Sequence, residues 1–166
     1  MQRRTKPITI LMAEDDADDR MLTKLAFEEA HLANDLRFVE DGEELMDYLH
    51  QMGKYRAPEE APRPGLILLD LNMPRKDGRE ALGEIKADSG LRQIPIVVLT
   101  TSKADEDILR SYELGVNSYI TKPVTFDELV GVIKVFGQYW LEIVELPCPE
   151  TEVPDEQRSD ASPARR

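Results

Sequence analysis

Between residues 8 and 138 the chain alternates short apolar runs with stretches whose apolar positions recur every third or fourth residue. A short continuous apolar run suits a strand, whereas recurrence at i, i+3 and i+4 suits a helix packed on one side. Residues 8–13 read as the first strand, and 18–30 as a helix with Leu22, Leu25 and Ala26 on one face. A weaker strand covers 36–39, and a helix opening at Glu43 carries Leu45, Met46, Leu49 and Met52. The run Leu66-Ile67-Leu68-Leu69 has no polar position, as in a strand covered on both faces. A helix over 79–86 bears Leu82 and Ile85, the strand Ile96–Thr100 follows, and 104–114 is helical with Ile108, Leu109 and Tyr112. Ser118–Thr121 is the last strand. Thr125-Phe126-Asp127-Glu128 is a capping box, in which Thr125 and Glu128 satisfy free amides reciprocally, and Leu129, Val132, Ile133 and Phe136 continue that helix.

Five strand–helix units in succession predict an α/β fold, because right-handed crossovers lay the strands parallel with helices on both faces. Such sheets gather ligand chemistry at the C-terminal strand ends. There the first strand runs into Glu14-Asp15-Asp16, the third into Asp70-Leu71-Asn72-Met73-Pro74, the fourth into Thr100-Thr101 and the fifth into Lys122-Pro123. Clustered carboxylates repel one another unless a cation intervenes. Mg2+ suits such a set, since it takes a few carboxylate oxygens, keeps waters and accepts phosphate oxygens. A lysine opposite supplies a charge for a phosphoryl oxygen. A carboxylate beside metal and lysine can attack phosphorus and form an aspartyl phosphate, a reaction that needs mainly positioning and charge neutralisation.

With Glu14-Asp15, Asp70 followed by Asn72 and Pro74, Thr100, Tyr119 and Lys122-Pro123 in order, residues 8 to 138 resemble the receiver domains of two-component response regulators. The resemblance implies a flavodoxin-like five-stranded sheet of order 2-1-3-4-5. It implies Asp70 as phosphoacceptor, with Glu14, Asp15, Asp70 and the Asn72 carbonyl holding Mg2+. Lys122 and Thr100 would bind the phosphoryl group, with Thr101 the nearest competitor for the threonine role. Thr100 and Tyr119 would form the switch, and Asn72 and Ser102 would flank the water that hydrolyses the phosphate. The Lys122–Pro123 bond would be cis by resemblance, although X–Pro bonds are trans by default. The segment 51–64 lengthens the second helix and its loop beyond a minimal receiver. That segment, the stretch 139–146 and the sequences LTTSKADEDI and SYELGVNSYITKPV resemble receivers partnering phytochrome-type histidine kinases, which implies a bacteriophytochrome-like kinase as partner.

Simpler readings compete at several positions. Asp16, Asp18 and Asp19 read as solvated turn formers that compensate a helix N-terminus. His31 and His50 lie on helical patterns away from the strand tips and read as solvated. Residues 139–146 could be a helix that runs on over its own domain. Yet Trp140, Leu141, Ile143, Val144 and Leu146 are too apolar to leave in water, and an exposed stretch of that kind marks an interface. We expect an extended arm joining a homodimer, two-fold pairs being the commonest closed assembly.

Composition narrows the function. Acids outnumber bases 33 to 21 over 166 residues, a net charge of −12 that disfavours nucleic acid and anionic membranes. The single cysteine, Cys148, excludes a disulfide framework and reads as incidental. Residues 1–7 and 147–166, poor in large apolar side chains, read as disordered ends. No apolar run is long enough to span a bilayer, and the basic start lacks the apolar stretch of a signal peptide, so the expected location is the cytoplasm. The expectation is a single-domain response regulator with no room for an output domain. It takes a phosphoryl group from a histidine kinase onto Asp70 and signals through protein contacts, without being a turnover enzyme. One alternative is an aspartate-nucleophile phosphatase, but its general acid would be an Asp where Asn72 stands. The other is a phosphorylation-independent binding module, which would be expected to lose the acceptor that Asp70 provides.

Overall fold

The structure is a computed structural model and describes residues 7–147. Five parallel strands, β1 (Thr9–Ala13), β2 (Asp35–Val39), β3 (Leu66–Leu69), β4 (Ile96–Thr100) and β5 (Ser118–Thr121), lie in the order β2-β1-β3-β4-β5. The register is continuous: Ala13 sits beside Val39 and Leu69, and Thr100 beside Thr121. The intervening helices are α1 (Ala17–Glu29), α2 (Gly42–His50), α3 (Gly78–Ala87), α4 (Asp105–Leu114) and α5 (Phe126–Phe136). The expected fold class and strand order are therefore present.

Alternate residues of each strand feed opposite sides, as the pleat requires. Leu11, Ile67, Leu69, Ile96 and Val98 face Leu45, Leu82 and Ile85 of α2 and α3. Ile10, Met12, Leu66, Leu68, Val97 and Leu99 face Ala26, Phe27, Ile133 and Phe136 of α1 and α5. β3 and β4 are buried at every position, which explains their unbroken apolar sequence.

Three helical expectations change. On α1 the inner face carries Thr23, Ala26 and Phe27, while Leu22 and Leu25 are 39% and 42% exposed. On α4 Ser111 is the buried residue, and Leu109 and Tyr112 face outward. Both helices carry two apolar stripes, and periodicity cannot say which one meets the sheet. α2 is not lengthened. It stops at His50 with Gln51 in the left-handed region, leaving Met52 exposed, and the 51–64 segment forms one 3-10 turn (Gly53–Tyr55) and loop. Tyr55 donates to Glu44 at 2.6 Å and stacks edge-on against Tyr48, tying that loop to α2. Of the capping box, the Thr125 hydroxyl accepts from the Glu128 amide at 3.2 Å; the return bond from the Glu128 side chain is absent among the described residues. His50, expected to be solvated, is largely exposed but pairs with Asp88 at 3.0 Å.

The largest departure is the C-terminal extension. Residues Gly137–Ile143 continue α5 as a π-helical turn instead of an extended arm, closed by the Val144 amide on the Tyr139 carbonyl at 2.9 Å. A Cβ at Gly137 would stand 2.7 Å from Leu32, so glycine lets the helix approach the loop after α1. Trp140 is buried, and Leu141, Val144 and Leu146 pack against the same core. α5 runs back along the sheet, so this extension covers the N-terminal strand ends of its own domain. The expected disordered ends fall mostly outside the described residues. No helix among the described residues is long and apolar enough to cross a membrane.

Candidate functional site

The tips of β1, β3, β4 and β5 converge because backbone bonds carry the ladder one step past each strand. The Glu14 amide donates to the Val39 carbonyl, the Asp70 amide to the Ala13 carbonyl and the Lys122 amide to the Thr100 carbonyl, at 3.0, 3.1 and 2.8 Å. Asp70 is 5% exposed, Glu14 is 1% exposed and Thr100 is fully buried. Unpartnered polar groups would be costly at that depth. Among the described residues no buried side-chain nitrogen or oxygen lacks a partner.

Asp70 is held at both oxygens. Oδ1 accepts from the Thr100 hydroxyl at 2.9 Å and from the Asn72 amide at 3.0 Å, and Oδ2 accepts from Lys122 Nζ at 2.8 Å. The same ammonium donates to Glu14 Oε2 and to Asp19 Oδ2 at 3.0 Å. Asp19 is therefore no mere turn former: it lies one helical turn past the cap and reaches the lysine, a placement its local sequence did not signal. Asp16 does cap α1, accepting from the amides of Asp18 and Asp19. Arg20 steadies the acidic tip by donating to the Glu14 and Asp15 carbonyls at 2.9 and 3.0 Å.

Burial raises the Glu14 carboxyl to about 8, its hydrogen bond with Asp70 adding to the rise and Lys122 opposing it. Burial also pushes Asp70 upward, but its bonds with Glu14, Lys122 and the Asn72 amide outweigh that and hold it below the usual range. For Lys122 burial disfavours the charge, and the bonds to Asp70 and Glu14 more than restore it, so its pKa is raised. The nearby Asp70 charge adds to the rise at Glu14, and a divalent cation bound between the two carboxylates would relieve that repulsion.

Glu14, Asp15 and Asp70 can each offer a carboxylate oxygen, all within 4.8 Å of one another. An oxygen-only set with one exposed member, Asp15, suits a hard divalent cation that keeps several waters. Thr101 is exposed, and Thr100 is the threonine bonded to Asp70. Tyr119 is turned in: it packs on the core, and its hydroxyl donates to the Ser102 carbonyl at 3.0 Å. The Lys122–Pro123 bond is trans, since the described residues contain no cis peptide, which corrects the expectation taken from the family.

Two contributions escaped the sequence reading. Gly78 begins α3 so close to the acceptor that a Cβ there would fall 2.1 Å from the Asp70 carbonyl oxygen. Arg79 makes a two-toothed bond to Asp107 across α3 and α4. The glycine could have been noticed eight residues after Asp70; the arginine pair is long-range and has no local signal.

Comparison with known proteins agrees with this geometry. Residues 10–134 match the family described as "Response regulator receiver domain". Response regulator Rcp1 of Synechocystis sp. is 44% identical over 142 residues, covering 86% of this chain and 95% of that protein. The crystal structure of its Mn2+-bound form superposes with a TM-score of 0.78, covering 86% of this chain and all of that one. The phosphorylated cyanobacterial phytochrome response regulator RcpA is 43% identical with a TM-score of 0.79, over 86% of this chain and all of its own. The bacteriophytochrome response regulator RtBRR is 42% identical with a TM-score of 0.69, over 86% and 85% of the two chains. This chain belongs to the response regulator receiver domain family.

Proposed function

We propose that Asp70 accepts a phosphoryl group from a phytochrome-type histidine kinase in the cytoplasm, with Mg2+ held by Glu14, Asp15, Asp70 and the Asn72 carbonyl. One observation carries this reading: Asp70 is joined to Lys122 and Thr100 at 2.8 and 2.9 Å while sharing a carboxylate cluster with Glu14 and Asp15. The carboxylate oxygen attacks phosphorus, and the phosphorus–nitrogen bond to the kinase histidine breaks, the leaving imidazole taking up a proton. Lys122 and Thr100 donate to the transferred phosphoryl oxygens, and the cation supplies neutralisation of their charge. Asn72 cannot act as a general acid for turnover, so the domain is a phosphoacceptor rather than a turnover phosphatase. The phytochrome assignment is supported by the identity with Rcp1, RcpA and RtBRR.

The test offers the protein a small phosphodonor with and without Mg2+, then separately an autophosphorylated phytochrome-type kinase and an unrelated kinase. Mass spectrometry should find the adduct on Asp70, dependent on Mg2+, and absent from Asp70→Asn. Stable phosphate elsewhere would overturn the acceptor, and equal transfer from both kinases would overturn the partner.

A homodimer is favoured by one observation. Val135, Tyr139 and Ile143 are 65%, 53% and 70% exposed and recur every fourth residue along α5 and its extension. The apolar face left outside is thus this stripe, while Trp140 points into the core. Sedimentation of the full chain should show a dimer that Val135→Asp with Ile143→Asp dissociates. A monomeric full chain at micromolar concentration would remove the dimer.

A further inference from the structure

Arg79 reaches across the mouth of the acceptor pocket from α3 to α4. Its Nε donates to Asp107 Oδ1 at 2.7 Å and its Nη2 to Asp107 Oδ2 at 2.6 Å, a two-toothed charge-assisted pair. Asp107 Oδ2 also accepts from the Ser102 hydroxyl at 2.7 Å. The same guanidinium lies 3.4 Å from the Leu71 carbonyl and 3.5 Å from Asn72 Oδ1. Asn72 stands two residues past Asp70 and Ser102 two past Thr100, and Asp70 and Thr100 are themselves bonded. One cation thus gathers both side chains that flank the acceptor, from outside the lysine and carboxylate cluster.

We infer that Arg79 is a positioning residue for hydrolysis of the aspartyl phosphate: by holding Asp107 against Ser102 it keeps that hydroxyl away from the attacking water and prolongs the phosphorylated state. The inference rests on Asp70 being the acceptor. In the hydrolysis a water oxygen bonds to phosphorus while the bond from phosphorus to the Asp70 oxygen breaks. Asp70 leaves as a carboxylate with the bonding pair, and the water proton passes to solvent as inorganic phosphate departs. A serine hydroxyl has one proton, and that of Ser102 is committed to Asp107. It therefore cannot donate to a phosphoryl oxygen or turn to orient water unless Asp107 releases it. Arg79 restrains Asp107 in place, and Asn72 is drawn toward the same guanidinium.

An ion pair on a surface commonly contributes little. This one differs in that Asp107 is only 18% exposed at its side chain and accepts three bonds from two partners. The pair also bears on the switch, because the Ser102 carbonyl is the acceptor for Tyr119.

The test labels full-length protein with a small phosphodonor and Mg2+, removes the donor and follows loss of phosphate from Asp70. Arg79→Ala and Asp107→Asn should each hasten decay about fivefold, the factor set by one hydrogen-bond-sized change in the barrier. Arg79→Lys should fall between, since an ammonium cannot reproduce the two-toothed grip. In a Ser102→Ala background, Arg79→Ala should leave the decay unchanged, because the two act as one unit. Unchanged or slower decay in either single variant would overturn the inference. So would an acceleration that persists in the Ser102→Ala background, which would mean the pair merely steadies α3 against α4. Wild-type protein that labels without phosphate on Asp70 would instead overturn the acceptor assignment.

Discussion

At the C-terminal tips of the strands, Glu14, Asp70 and Thr100 are buried polar residues, each satisfied by a named partner. At the N-terminal tips, Ile8, Leu32, Trp140, Leu141, Val144 and Leu146 pack as an apolar seam beneath the same sheet. A broad groove of about 1280 Å3 opens beside that seam, at the end of the sheet opposite the chemistry. The polar end holds its shape through directional bonds that converge on one ammonium, and a single lost partner strands a charge. The apolar end depends on packed volume, and a lost side chain leaves a cavity without disturbing any charge. Stability and chemistry should therefore separate between the two ends.

Lys122→Ala should be the sharpest break at the polar end. Removing the cation leaves Glu14, Asp19 and Asp70 facing one another. Loss of one partner from a buried set costs about 3–5 kcal/mol, read by urea unfolding without metal. Labelling of the folded variant by a small phosphodonor should slow about 100- to 1000-fold, as when one transition-state donor is removed. A variant that labels at the wild-type rate would remove the lysine from the chemistry.

Trp140→Ala should cost about 3 kcal/mol by the same unfolding measurement, at the low end for a buried tryptophan. Its labelling per folded molecule should match wild type. A loss of labelling with a preserved fold would show that the two ends are coupled.

Within the polar end, Asp15 and Glu14 should differ. Glu14 is buried beneath Lys122 and also accepts from the Asp16 amide, while Asp15 is exposed beside it. Asp15→Ala should weaken Mg2+ more than Glu14→Ala, by about tenfold or 1.4 kcal/mol in a metal titration. The reverse order would move the principal ligand to Glu14.

The smallest effect is the pH dependence of the Arg79 pair. Hydrogen bonds from Arg79 and Ser102 lower the Asp107 carboxyl from 3.8 to about 2. A depressed carboxylate contributes stability that is fully present above the unfolded value and is lost as pH falls through the folded one. Unfolding free energy should therefore drop between about pH 4 and pH 2 less steeply in Asp107→Asn than in wild type. Equal slopes would show that the pair contributes nothing to folding.

Strand identity and the acidic tips were legible from the residues alone. Leu66–Leu69 and Ile96–Thr100 are apolar at every position, so their burial on both faces needed no knowledge of neighbours. Glu14, Asp70 and Lys122 directly follow strands and Thr100 ends one, and parallel topology alone brings such positions together. Other features depended on which surfaces meet. Which stripe of α1 and of α4 turns inward is one of them, because each helix offers two apolar stripes and only the sheet chooses between them. The partnership of Asp19 with Lys122 joins residues 103 apart, and that of Arg79 with Asp107 residues 28 apart. The path of the extension was likewise settled by packing: Ile, Val and Trp favour a strand in isolation, but burying Trp140 against Phe27 and Phe136 favours a continued helix. Local patterning specifies what a segment buries and where the chain turns. Long-range contacts decide which face is buried and which charges meet, because their energies come from partners that adjacent sequence does not contain.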